Sequence, residues 1–404
     1  MGKTVGKIFI GLLALVMLVG AVLYLQDPLF WKRYYLIATG KGTLPQSGWE
    51  GSEYPVEGAA KQLFDVVNEG PGSIPSDALA DVSEYAAERR STSLLIWHQG
   101  KLRFREHYQG MDENSLIVGK SMAKMVASLV ISRAIKEGYI AGLDEPASTY
   151  ITEWKNTEKA AISIRHLLQM SAGFERYYTL DMSPFSTFTR SYLSGYTEDV
   201  IINDYELVDE PGTKYDYSQV VSDLLALILE RATQRPYGQY LSESLIKPLH
   251  AQGGEVMLNR PNGLAHSGCC LLLPSESWLR MGILLSNGGE IDGNSLFADN
   301  WMQEYLTPSP ANPAMGLHIW LGKPYLPKRA WTEVGKPKGF GVIHSEPYLA
   351  DDLFLFDGSG NQVMYIVPSM DLVILRTGGF SWAPGKEWDN SYIPNTIIRS
   401  IVEP

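Results

Sequence analysis

Cysteine is almost missing from this chain: 404 residues hold two, and these, Cys269 and Cys270, are neighbours. Adjacent cysteines can build neither a disulfide framework nor a CxxC metal or redox pair. They read as small buried apolar residues, because a disulfide between sequence neighbours is disfavoured by strain. Histidine is also scarce: seven residues are scattered singly, with no HExxH or paired spacing, which argues against a zinc or histidine-clustered metal site. Three motifs are missing as well, the Walker A loop, the dinucleotide Gly-x-Gly-x-x-Gly and the Gly-x-Ser-x-Gly elbow, and with them three large enzyme classes lose their main signal. Positive charge is short too. Lys plus Arg number 34 against 45 Asp plus Glu, a net charge of −11, which repels phosphate backbones and excludes a nucleic-acid partner. What is present is ordinary for a large folded enzyme, 45% hydrophobic and 20% charged, and this rules out disordered, collagen-like and coiled-coil readings.

One long hydrophobic run does occur. Residues 8–25, IFIGLLALVMLVGAVLYL, carry no charge. As a helix they reach about 27 Å, just enough for a hydrocarbon layer of about 30 Å. Lys3 and Lys7 precede the run, and Val19-Gly20-Ala21 offers a small-residue cleavage site, so a retained anchor competes with a removed signal peptide. The anchor is favoured because residues 22–25 continue the apolar run past that site. Basic residues on the two sides do not set the orientation. A short tail ahead of a large body is the arrangement of an export signal, and it predicts a body facing the periplasm or the outside, held by a single pass through the inner (cytoplasmic) membrane. Secretion to the periplasm after cleavage is the alternative.

Residues 1–26 are therefore expected to be an anchor or signal segment. Residues 27–59, with Trp31, Tyr34 and Tyr35 and then Gly40, Gly42, Pro45, Gly48 and Gly51, read as an interfacial segment running into a linker. Residues 60–404 form the main domain. Within it, residues 93–98 and 101–108 flank a Gln99-Gly100 turn and predict a β-hairpin. From Ser121, Met122, Met125, Val126 and Leu129 follow helical spacing up to Gly138, which predicts an amphipathic helix. Residues 164–170, 218–233 and 275–286 are further helical stretches. Strands are predicted at 317–321, 353–356, 363–367 and 372–375. Strands at both ends around a helical centre predict an α/β (α+β) fold with one antiparallel sheet from 60–118 and 265–404, and an inserted helical part over 119–264.

Chemistry enters with Ser-x-x-Lys at Ser121-Met122-Ala123-Lys124, on the first turn of the strongest helix. Residues i and i+3 share a helix face, so the amine can reach the hydroxyl. Burial and the positive helix start both lower the lysine pKa toward that of a usable base. A capping serine followed by a solvated lysine would leave the same sequence trace. Chance alone gives such a motif roughly once or twice in a chain this long, and a second copy exists at Ser244-Leu245-Ile246-Lys247. That pair ends a helix before Pro248 and reads as structural.

Three ordered segments raise the first copy above chance: Ser121 to Lys124, then the run ISIRHLLQMSAG over 162–173, then PGTKYDYSQ over 211–219. In order and spacing they resemble the serine β-lactamase and penicillin-binding-protein superfamily, nearest its esterase, class C β-lactamase and 6-aminohexanoate-dimer hydrolase branch. Asp357-Gly358-Ser359-Gly360-Asn361-Gln362 is similar to that branch's glycine-rich turn. The resemblance covers roughly residues 60 to 400. It implies a membrane-tethered serine hydrolase working on a small ester or amide without metal or cofactor. In that scheme Ser121 is the nucleophile, Lys124 its base, and Tyr217 passes the proton to the leaving group as a phenolate favoured by the lysine ammonium. Gly358 and the backbone N–H of Ser359, with that of Ser121, would form the oxyanion site, Gln219 would meet a substrate carbonyl, and Tyr177 would line the pocket mouth.

Two departures bear on substrate. Gln219 stands where penicillin-recognising members have asparagine, and the superfamily's Lys-Thr-Gly element is missing, since Arg376-Thr377-Gly378 comes too late in the chain to replace it. Loss of that lysine removes the usual partner of a β-lactam carboxylate and favours neutral esters or amides. The competing reading is a non-catalytic member that binds cell-wall fragments or a protein partner.

Overall fold

The computed structural model describes residues 2–41, 52–60, 62–176, 183–330, 341–381 and 383–402. The elements that matter are helices α1 (Gly2–Gln26), α2 (Pro28–Ala38), α3 (Ser76–Glu88), α4 (Met122–Lys136), α5 (Thr187–Leu193), α6 (Gln219–Thr233), α7 (Ser275–Ser286) and α8 (Tyr392–Val402). The strands are β1 (Glu53–Val56), β2 (Ser91–His98), β3 (Lys101–His107), β4 (Ile117–Val118), β5 (Gly254–Met257), β6 (Leu271–Leu273), β7 (Trp320–Leu321), β8 (Phe354–Gly358), β9 (Gln362–Val367) and β10 (Leu372–Gly378).

Six strands form one antiparallel sheet in the order β3-β2-β10-β9-β8-β7. It is assembled from both ends of the domain, as the hydrophobic pattern predicts. The β2–β3 turn has positive φ at Gln99 (48°) and Gly100 (72°), the two-residue geometry whose twist suits a hairpin. Side chains alternate across the sheet. Met364 and Val373 face α7, which crosses so closely that a Cβ on Gly282 would lie 2.6 Å from Val373 and 2.7 Å from Met364. Tyr365 and Arg376 point to the opposite face, where Trp388 covers Arg376 and Tyr85 of α3 stacks on Tyr392 of α8 with ring centroids 4.0 Å apart. A smaller sheet, β1-β5-β6-β4, leads from the middle of the chain to the start of α4.

Several expectations are corrected. The stretch 27–59 is not only linker: it contains α2 and the strand β1, which pairs with β5. Helix α4 is buried on every face rather than amphipathic, with Lys124 and Ser128 among its buried residues. The strand at 317–321 shortens to β7, because His318 adopts φ 60°, incompatible with extended pairing. Cys269 and Cys270 are joined in a disulfide.

Candidate active site

Strand β4 delivers the chain to Ser121 through a tight passage. The Gly119 N–H donates to Leu271 O (2.8 Å), and a Cβ there would lie 2.4 Å from the Trp278 ring. Lys120 follows with φ 50°, a costly conformation for a side-chain-bearing residue and one found preferentially at functional sites. Ser121 then enters helical geometry (φ −66°, ψ −8°) without capping the helix; its hydroxyl faces the Tyr217 phenol closely enough to lower the phenol's pKa.

One turn on, Lys124 is only 2% exposed. Its Nζ donates to Gln219 Oε1 (2.5 Å) and to Gly268 O (2.6 Å). Burial lowers its pKa to about 7, against a smaller opposing pull from the Asp223 carboxylate. A neutral primary amine has two N–H groups and one lone pair. With both N–H groups donated, the lone pair is what remains for a proton. Neither the capping serine nor the solvated lysine of the alternative reading fits this geometry.

The acceptors of Lys124 are themselves held. Asp223, 2% exposed and one turn along α6 from Gln219, accepts from Gln219 Nε2 (3.1 Å) and from the Gly268 N–H (3.3 Å), and its second oxygen lies 3.2 Å from His266 Nδ1. A Cβ on Gly268 would fall 2.2 Å from the Gln219 amide, so any side chain there would push that amide off Lys124. Gln219 is therefore committed to the lysine, not to a substrate carbonyl as expected. Asp223, His266 and Gly268 carry no motif of their own. The usable signal was the i, i+4 spacing of Gln219 and Asp223 on a helix already implicated.

Tyr217 departs from the expected phenolate. Burial raises its pKa, as does the Asp357 carboxylate, outweighing the hydrogen bond from Ser121 and the Arg329 charge. A neutral Lys124, 5.4 Å from the ring centroid, supplies no ammonium to reverse this. The phenol stays protonated. Trp320 stacks on its ring at 5.9 Å, and Arg329 lies over Trp320 while pairing with buried Asp357.

The β8–β9 hairpin closes the other side. A Cβ on Gly358 would stand 2.8 Å from Gly119 O and 3.2 Å from the nitrogens of both Ser121 and Met122, so the strand end packs directly on the start of α4. Ser359 is the exposed first residue of the turn. Gln362 pins the hairpin by donating to Val118 O (2.6 Å), and buried Arg376 braces it from behind through the carbonyls of Gly360 and Asn361 (both 2.7 Å). Arg376 thus supports the turn from the far face of the sheet. Tyr177 lies outside the described residues. The second Ser-x-x-Lys is structural: Ser244 Oγ donates to Tyr240 O (2.6 Å), and Lys247 pairs with Glu57 at the surface.

Residues 78–263 match the family model described as Beta-lactamase, and solved structures of the same fold accompany that match. The match covers a little under half of the chain, and with the shared fold it supports a place in the serine β-lactamase and penicillin-binding-protein superfamily. Among curated proteins, Protein flp of Staphylococcus aureus (strain NCTC 8325 / PS 47) is 29% identical over 169 residues, covering 39% of this chain and 33% of its own length. The chain thus spans about a third of the curated relatives it matches. A candidate 6-aminohexanoate-dimer hydrolase from Bacillus anthracis shares the fold with a TM-score of 0.63 at 17% identity, over 89% of this chain and 94% of its own. A class C β-lactamase in complex with cefoxitin gives 0.56 at 16% identity, over 80% and 98%. Homologues in the superfamily are typically serine hydrolases.

Proposed function

We propose that this chain is a serine hydrolase that cleaves small ester or amide bonds through an acyl-enzyme on Ser121. Ser121 Oγ attacks the carbonyl carbon while its proton passes to the lone pair of Lys124 Nζ. The negative charge that forms on the carbonyl oxygen is met by the backbone N–H groups of Ser121 and Ser359. As the intermediate collapses, the protonated Tyr217 gives its proton to the leaving group and recovers one from the Lys124 ammonium. Water then attacks the ester, losing its proton along the same path in reverse, and frees Ser121.

The observation that carries this reading is the state of Lys124: buried, with a pKa of about 7 and both N–H groups of its neutral amine donated. Neutral substrates are favoured over β-lactams because the cations around the hairpin are already matched, Arg329 by Asp357 and Arg376 by backbone carbonyls. The test is fluorophosphonate labelling followed by turnover of p-nitrophenyl esters, small amides and nitrocefin. Ser121→Ala should abolish labelling and reduce turnover by several orders of magnitude. Ser244→Ala should change neither by more than about a few-fold. Full labelling of a folded Ser121→Ala protein, or nitrocefin turnover matching the best ester, would overturn the reading or its substrate ranking respectively.

A further inference from the structure

The apolar helix α1 does not lead into a loose tether. Asp27 interrupts it and caps α2, accepting from the Phe30 N–H (2.9 Å), while its other oxygen accepts from Ser194 Oγ (2.6 Å) and the Gly195 N–H (3.0 Å). Trp31 Nε1 reaches back to Leu23 O in the last part of α1 (3.0 Å). Arg33, fully buried, donates to Leu193 O (3.0 Å), Ser194 O (3.4 Å) and Asn259 O (2.7 Å). Burial lowers its pKa to about 10, which leaves it charged at neutral pH and bound to these carbonyls. The end of the anchor is thereby fastened to the segment 193–195.

That segment ends α5, and α5 also borders the catalytic residues. Tyr192, immediately before Leu193, is half-buried and within electrostatic reach of both Asp223 and Tyr217. One two-turn helix thus has α2 fastened at its last residue and, at Tyr192, an electrostatic link to the surroundings of Lys124 and to Tyr217. Around the fastening, large apolar side chains are left in the open: Tyr35 of α2 is 58% exposed, Phe185 just before α5 69%, and Tyr196 47%. Exposed Lys32 lies beside them on α2. Aromatic rings with interspersed lysine at the end of an apolar 22-residue span match the chemistry of a bilayer interface.

We infer that α2 seats the body on the bilayer surface with the Ser121 site beside it, and that the substrates are amphiphilic esters or amides held in the membrane by a hydrocarbon chain. This rests on the proposed hydrolase chemistry and on a retained α1. A fixed standoff raises the local concentration of a membrane-borne substrate, and a flexible joint dilutes that advantage.

The experiment uses the full chain in phosphatidylcholine vesicles, with p-nitrophenyl palmitate in the bilayer and p-nitrophenyl butyrate in the water. A Gly-Ser insertion of about ten residues between Gln26 and Asp27 leaves the fastening of α2 to residues 193–195 whole but breaks the contact of Trp31 with Leu23 and with it the fixed standoff from α1. It should lower palmitate turnover at least about tenfold and leave butyrate turnover within about twofold. Equal effects on the two substrates, or none on either, would overturn the inference while leaving the hydrolase chemistry standing. Failure of the parent chain to cleave either ester would instead sink the hydrolase reading. Placement is then read without activity. A fluorophore on Phe185→Cys should be quenched by lipid-borne nitroxide in vesicles, and quenching by aqueous iodide alone would contradict the seating on the bilayer.

Discussion

A lysine amine in water titrates near 10.4 and is protonated at neutral pH, so its use as a base depends on how far burial moves it. For Lys124 the shift is to about 7, and in the proposed mechanism the neutral form is the one that would accept the serine proton. The acid limb of kcat/KM should therefore rise with pH through about 7, measurable with a p-nitrophenyl ester between pH 5 and 9. The same shift acts on stability. Below about 7 the lysine is charged in both states, and the cost of burying the charge is fully present. Between that value and the unfolded pKa the unfolded chain binds more protons, so folding becomes more favourable as pH rises, by up to about 1.4 kcal/mol per unit. Urea unfolding of the parent and of Lys124→Met should show the parent gaining on the variant from pH 7 to 9.5. A flat difference would mean that the amine is not titrating in the fold. Sequence reading nominates Ser121, Lys124 and Tyr217 because motif spacing is local, and the fold brings Lys124 Nζ within 5.4 Å of the Tyr217 ring centroid. It misjudges the phenol's charge, because protonation depends on burial contributed by distant segments.

Helix α6 supplies the lysine's surroundings as a unit, with Gln219 in its first turn and Asp223 in the next. The Asp223 charge raises the Lys124 pKa. Asp223→Asn, which preserves shape, should move the acid limb of kcat/KM to lower pH, whereas damage confined to packing would lower the rate without moving the limb. The β8–β9 hairpin is the second unit. Gly358→Ala puts a methyl 2.8 Å from Gly119 O, where backbone on both sides must yield. We expect kcat to fall by about 10²-fold or more, with a loss of stability of about 1–3 kcal/mol by thermal unfolding. The hairpin's existence is legible in its glycines. Its seat on α4 is not, because Gln362 to Val118 and Gly358 to Ser121 are pairings across more than half the domain. Likewise α2 escapes an expectation built on glycine-rich neighbours, since its order comes from one buried arginine meeting carbonyls 160 and 226 residues away.

At the scale of the whole molecule, α2 belongs to the body. A chain beginning at Asp27 should be soluble and melt several degrees above one beginning at Gln46, which leaves the carbonyls of Leu193 and Asn259 without the Arg33 guanidinium. Differential scanning calorimetry of the two checks this, and equal melting temperatures would show that the fastening adds nothing. The sheet has a further consequence of its own, in time rather than space. Strand β10 lies between β2 and β9, with Ile374 opposite both Ile96 and Tyr365. The first hairpin is therefore synthesised more than 260 residues before the strand that completes its pairing. Loop-closure entropy grows only slowly with length, so the finished fold loses little by this arrangement. During synthesis the cost is kinetic. Until residue 378 has emerged, β2 presents an open apolar edge, and the nucleophile helix lacks the hairpin that covers it. A nascent chain of this protein is thus aggregation-prone until the last strand closes, and the hydrolysis proposed above would have to await that closing.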